Sequence, residues 1–299
     1  MKRILLLLLF VASSVMAADV RFIVPFSPGG SSDQLARELE LLLSNSTYKF
    51  IIEYKPGAGG AVGAEYLAKV RHETVFMTIT PGLIANPIIN HSSGYDVLHD
   101  FVFVSYIGSE PLIMAVNQQT KIANYKQFLT EASYKKLPYG SPGIGSSGHL
   151  SAAIIAGNNP NLFNVPYKGS ASMMSDLLAG NTSWAVDSDA VLGPYIKNHS
   201  LVPIAVYGPR QLAKYPSVPT LKQLGIDDQR FYRWHIVLAN SDADPAVIQY
   251  VQGRLKDTRV KSQIQQLGID TSRSVDQDTF LQTETTKFKK IIQDLNIAD

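Results

Sequence analysis

Three observations predict an α/β fold divided between two lobes. β-forming runs alternate with helix-periodic runs along most of the 299 residues, the pattern of strands covered by helices. Glycine- and serine-rich turns repeatedly join a strand end to a helix start. A chain of this length ordinarily divides its core between two domains, yet no short repeat or low-complexity linker marks a boundary. The chain is therefore expected to cross between lobes within structured segments and to return.

The elements follow in order. Residues 20–26 are β-formers and predict the first strand. The helix over 31–43 places Leu35, Ala36, Leu39, Leu42 and Leu43 on one face, with Ser31 or Ser32 as its cap. A strand over 48–54, the glycine-rich Pro56-Gly57-Ala58-Gly59-Gly60, a helix over 61–70 and a strand over 74–80 come next. Strands are predicted over 101–108 and 112–117, a helix over 125–132, and a brief strand at Tyr139-Gly140-Ser141. A helix over 149–156, a strand over 163–167, a helix over 172–179 and a strand over 183–187 follow, with a further helix beginning in Asp187-Ser188-Asp189. The last strands are 201–207 and 231–239, and residues 245–295 read as helices broken near Asp257 and at 268–274.

The N-terminus reads as a secretion signal. Lys2 and Arg3 precede the apolar run 4–11, and small residues lead to Ala17 and Ala18, the order of a signal peptide with a cut after either alanine. The run is shorter than the ~20 residues a spanning helix needs. Residues 1–17 are taken as the signal peptide. The chain has no cysteine, so a secreted form is held by core packing without disulfides and has no site for a lipid anchor. Removing Lys2 and Arg3 from 27 basic residues leaves 25 against 25 acidic. A neutral mature chain lacks the basic footprint of a nucleic-acid partner.

Four turns carry the candidate chemistry. Pro25-Phe26-Ser27-Pro28-Gly29-Gly30-Ser31-Ser32-Asp33 runs from a strand into a helix. Its glycines permit close backbone approach, and the helix start offers free N–H groups and the positive end of a dipole, a seat for an anion. An ordinary βα turn with a serine cap reads equally well. No Gly-Lys-Ser/Thr follows, so it is not a P-loop. The second turn, Ser141-Pro142-Gly143-Ile144-Gly145-Ser146-Ser147-Gly148-His149, repeats the pattern. A serine hydrolase is the alternative there, but Gly-x-Ser-x-Gly fails by one place at Ser147, and His149 reads better as a loop-stiffening contact. The third is Val165-Pro166-Tyr167-Lys168-Gly169-Ser170-Ala171, where a lone lysine in a turn reads as solvated. In the fourth, Asp187-Ser188-Asp189, Asp189 is a candidate helix cap, and Asp187 takes a ligand hydroxyl or amine, or bridges the lobes. The six histidines show no ligand spacing, so no metal and no cofactor are expected. Donor-rich turns without a nucleophile–base pair point to binding rather than catalysis.

These residues resemble the substrate-binding components of tripartite tricarboxylate transporters, the Bug family of periplasmic receptors. The resemblance rests on Ile23-Val24-Pro25-Phe26 with Pro28-Gly29-Gly30 and Asp33, then Ala36-Arg37. It continues through Lys55-Pro56-Gly57-Ala58-Gly59-Gly60 with Gly63-Ala64-Glu65 and Ala68, then Asn86-Pro87 and Asp100-Phe101. Gly145-Ser146-Ser147 with His149-Leu150, Val165-Pro166-Tyr167-Lys168-Gly169, and Tyr215-Pro216-Ser217-Val218-Pro219-Thr220 with Leu224-Gly225 complete it. Three stretches depart from the family pattern: Arg71-His72-Glu73-Thr74, Asn90 to Gly94, and Arg233-Trp234-His235-Ile236-Val237.

The resemblance implies a type II-like periplasmic binding protein, a Venus flytrap of two α/β lobes with the ligand cleft between them. Lobe one is expected from 18–104 and 225–299, lobe two from 105–224. Carried over, the family's carboxylate-holding loops place Phe26, Ser27, Gly30, Ser31 and Ser32 on one jaw. Ser141, Gly145, Ser146 and Ser147 stand on the other, with Gly169, Ser170, Ala171 and Asp187 near. Asp33, an acid beside an anion, bonds loop N–H groups or takes a ligand amine. The implied role is capture of a small carboxylate (a di- or tricarboxylate, an acidic amino acid or an aromatic acid) by a monomer that delivers it to inner-membrane transporter subunits. A receptor docking on a membrane sensor domain is the alternative.

Overall fold

The computed structural model describes residues 17–91, 94–226, 232–295 and 297. The expected signal peptide, except for its last residue, and Phe231 lie outside the described residues. The chain runs β1 (Ala18–Val24), α1 (Ser31–Leu43), β2 (Tyr48–Tyr54), α2 (Ala61–Lys69), β3 (Val75–Ile79), α3 (Gly82–Ile89) and β4 (Phe101–Glu110). It continues with β5 (Leu112–Asn117), α4 (Tyr125–Ala132), β6 (Tyr139–Ser141), α5 (Ser147–Ala156), β7 (Asn164–Pro166), α6 (Ser170–Ala179), β8 (Trp184–Ser188), α7 (Asp189–Lys197) and β9 (Leu201–Tyr207). It ends with β10 (Arg233–Asn240), α8 (Pro245–Lys256), α9 (Thr258–Gln266) and α10 (Gln277–Asp294).

Two five-stranded sheets result, ordered β2-β1-β3-β10-β4 and β7-β6-β8-β5-β9. In the first, β1 runs parallel to β2 and β3, and β10 runs antiparallel to β3 and β4. In the second, β6 is parallel to β7 and β8, and β5 is antiparallel to β8 and β9. The fourth strand of each sheet is thus the antiparallel one. The chain leaves the first sheet at Glu110, enters the second at Leu112, and returns as β10. Parallel strands end on a common edge of their sheet, so the turns after β1 and β3 gather on one edge of the first. Those after β6, β7 and β8 gather on one edge of the second. Such strand ends are where open α/β sheets hold ligands.

Local chemistry explains the boundaries. β1 starts earlier than its apolar pattern suggests because Ala18 and Asp19 pair with Tyr48 and Lys49. It stops before Pro25, which has no N–H to donate. β9 carries Pro203 and is the last strand of its sheet, paired with β5 and bridged to Thr220 only at Val206, so the missing donor falls on a sheet edge. α1 buries Leu35, Ala36, Leu39 and Leu43 in a cluster with Phe22, Phe50 and Phe76. α3 has no counterpart in the sequence reading. It holds Pro87 and buries Leu83, Ile84, Ala85, Asn86 and Ile89, so it lacks the polar face that marks a helix. The two tryptophans are fully buried with satisfied ring N–H groups. Trp184 donates to Leu137 O at 2.9 Å and Trp234 to Glu284 Oε2 at 2.8 Å. Among the described residues no helix is long and apolar enough to cross a membrane.

Candidate functional site

The first jaw is the turn between β1 and α1. Gly29 sits at φ +95°, a conformation that favours glycine. Gly30 precedes α1 without any side-chain cap, so the first N–H groups of the helix are left for another acceptor. Ser31 and Ser32 are buried there. Asp33 points away from that role. Its carboxylate accepts from Gly29 N at 2.9 Å, from Arg37 Nε at 3.1 and 3.2 Å, and from Tyr54 Oη at 2.7 Å. Burial together with Asp33 pushes the Tyr54 phenol up to about 12. Asp33 therefore fastens the turn to its own lobe. Asp33→Ala is expected to destabilise the protein by about 2–3 kcal/mol, read by urea unfolding; an unchanged midpoint would show the clamp to be inert.

The second jaw is the loop between β6 and α5. Ser146 caps α5, its Oγ accepting from His149 N at 3.3 Å. His149 Nδ1 in turn accepts from Gly145 N at 3.1 Å, and its ring stacks near Tyr139. Burial lowers the His149 pKa to about 4, so the imidazole is neutral with its proton on Nε2. The histidine holds the glycine loop and is not poised to take a proton from Ser147, whose Oγ is buried without a hydrogen-bond partner among the described residues. The hydrolase alternative loses its base on this geometry. Ser141 Oγ is likewise buried without a partner.

The third turn meets the first. A Cβ built on Gly30 would lie 3.4 Å from Ser170 Oγ, and one on Gly29 3.7 Å from Ala171 Cβ. Ser27 Oγ donates to Lys168 O at 3.2 Å, and a Cβ on Gly169 would come within 3.0 Å of Ser27 N. The Lys168 side chain is exposed. Ser170 starts α6 and donates to Asp187 Oδ2 at 2.7 Å.

Phe26, Gly30, Ser31 and Ser32 from one sheet's edge and Ser146, Ser147, Gly148 and Ser170 from the other line a cavity of about 20 Å³. Thr80, Pro142 and Arg233 complete its wall. Three helix starts (α1, α5 and α6) thus converge on one small space. Ser27 lies outside, in a larger groove of about 620 Å³ with Ala58, Asn86, Gly143, Ile144 and Lys168. Asp187 stands behind Ser170, and Gly145 packs on Asn86.

Beneath the cavity lies a charge cluster of which the sequence pointed to Ser31 and Asp187 but not to Arg233, Glu110 or His235. Arg233 Nη1 donates to Ser31 Oγ at 2.5 Å and to Glu110 Oε1 at 3.1 Å, and Nη2 donates to Asp187 Oδ1 at 2.5 Å. Arg233 and His235 are two apart on β10 and share one face of the strand. His235 Nε2 lies 2.9 Å from the same Glu110 oxygen; a carboxylate only accepts, so the imidazole donates. Burial alone would raise the Glu110 pKa, but Arg233 and His235 hold it below the usual carboxylate range. Burial opposes the Arg233 charge, and Asp187 and Glu110 more than restore it. The signal available in the sequence was an arginine and a histidine alternating inside a run of strand formers. Among the described residues no cluster of His, Asp and Glu is arranged to hold a metal ion.

A family model described as the tripartite tricarboxylate transporter family receptor matches residues 34–297. The chain is 28% identical over 244 residues to Protein BugT of Bordetella pertussis, covering 79% of this chain and 75% of that protein. In fold it is similar to an R. palustris protein solved with adipate, with a TM-score of 0.85 and 25% identity over 93% of this chain and 97% of the other. It is also similar to the periplasmic binding protein BugD, with a TM-score of 0.84 and 20% identity over 93% and 98%.

Proposed function

The chain belongs to the tripartite tricarboxylate transporter receptor family, and from that premise we propose that it captures a small carboxylate and delivers it to inner-membrane transporter subunits. The family is one of periplasmic solute-binding receptors, not of enzymes. The carrying observation is the convergence of the α1, α5 and α6 starts, from both sheets, on one buried cavity. Unpaired N–H groups and dipole ends favour an anion there, and the burial of the lining residues strengthens each contact. The similarity to a protein solved with adipate supports a carboxylate. Di- and tricarboxylates, acidic amino acids and aromatic acids all carry the group these donors read.

In this reading residues 1–17 direct export, and the mature chain works as a monomer of two lobes, one built on each sheet. In this reading the chain crosses between the lobes near Pro111, which the pairing of β4 with β10 as far as Glu110 supports. The ligand enters with the lobes apart and is held when the two jaws meet.

Thermal unfolding of the mature protein against mono-, di- and tricarboxylates, acidic amino acids and aromatic acids tests the reading. A ligand that binds only the folded state adds about 2.7 kcal/mol at 100 times its dissociation constant. An upward shift confined to one acid class is expected. No shift with any acid, after refolding to strip bound ligand, would overturn the carboxylate assignment.

A further inference from the structure

We propose that Arg233 is the side chain that reads the ligand's carboxylate, taking it side-on through its Nε–H and its remaining Nη2–H. The proposal rests on the receptor reading above and deepens it by naming a specificity-determining residue on β10.

A guanidinium has five N–H donors. Three are engaged: two on Nη1, with Ser31 and Glu110, and one on Nη2, with Asp187. The Nε–H is buried and has no partner among the described residues, although Arg233 lines the cavity and is only 5% exposed. A buried charged donor left unmade is costly, and folded proteins rarely keep one without a use. The two donors that remain are the number a bidentate contact to a planar carboxylate takes.

The surroundings aim the group. Glu110 closes β4 in the first sheet and is itself fixed by His235. Asp187 belongs to the second sheet and is fixed by Ser170 Oγ at 2.7 Å and by Ser188 N at 2.8 Å. The guanidinium is therefore gripped from both sides of the seam, and the complete grip exists only with the lobes together. The helix starts attract any small anion, because they are rows of single donors. Arg233 faces two carboxylates already and brings no surplus charge; it adds a forked geometry instead. The consequence is selection of a planar carboxylate over a spherical anion.

The test follows the Arg233 Nε–H resonance of the ¹⁵N-labelled mature protein, assigned through its side-chain carbons. Sodium acetate and sodium chloride are titrated at matched ionic strength, with the Ser31 and Ser147 amides as reporters of the jaws. Acetate is expected to move the Nε–H saturably and chloride is not. Arg233→Lys keeps the charge and is expected to lower acetate affinity at least ~10-fold while both amides still respond. If acetate moves the two amides and leaves the Nε–H in place, Arg233 is only a structural bridge, and the receptor reading stands without it. If acetate, adipate, malate, citrate, glutamate and benzoate all leave amides and Nε–H unmoved, the receptor reading falls as well. The wild-type Nε–H decides the matter even if the lysine variant fails to fold.

Discussion

Gly59→Ala is expected to abolish ligand capture while leaving both sheets folded. Gly59 sits at φ +58°, and a Cβ there would lie 2.1 Å from Ile144 O and 3.0 Å from Asn86 Nδ2. Ile144 belongs to the glycine loop before α5, on the opposite jaw. The new methyl would occupy space that backbone fills when the jaws meet, and a carbonyl cannot rotate away as a side-chain tip can. Loss of closure separates the α1 and α5 starts, so affinity for any carboxylate the wild type binds is expected to fall by on the order of 100-fold or more. The left-handed backbone adds about 1–2 kcal/mol of strain. Gly225→Ala is the control, because Gly225 is also left-handed at φ +78° with nothing within 4 Å of its built Cβ. It should share the strain and keep the affinity. Titration calorimetry on both variants reads the difference, and equal affinities would remove the Gly57–Gly60 turn from the closure surface.

Acidification from neutral pH is expected to weaken the protein through His149. Its folded pKa is lowered by burial to about 4, while in the unfolded chain it stays near ~6.5. Between these values the unfolded state binds the proton and the folded state does not, so stability falls as pH drops from about 6.5 to about 4. Below that window the group contributes no further loss. The full difference is on the order of 3 kcal/mol. Ligand binding is expected to weaken only as pH falls to about 4 and below, where the folded imidazole takes its proton and an Nδ1–H would face the Gly145 N–H it now accepts. His149→Gln keeps an acceptor and cannot take the proton, so its stability should be flatter over that range. Glu110, with its depressed pKa, contributes stability above its unfolded value near ~4.5 that is lost at lower pH, below most of the histidine window. Parallel denaturant melts of wild type and variant would decide, and identical slopes between pH 6.5 and 4.5 would rule His149 out.

Much of this molecule was determined locally. α1, β2, α4, β6 and β9 lie where period and composition place them, because each has a clean face or a compact run of strand formers. The jaw serines were legible for the same reason: glycine, proline and hydroxyl residues between a strand and a helix describe a turn whose donors are already decided. α3 escaped notice because burial on all sides erases the polar face, and Pro87 argues against a helix.

What no local pattern contained is the ground beneath the cavity. Arg233 meets Glu110 across 123 residues, Asp187 across 46 and Ser31 across 202. These partners become neighbours only because β10 returns from the second sheet to pair antiparallel between β3 and β4. Strand propensity and turn chemistry are decided by adjacent residues and can be read in order. Charge pairing, the meeting of Gly59 with Ile144 and the burial that keeps His149 neutral depend on which distant surfaces exclude water together, and only the tertiary fold decides that.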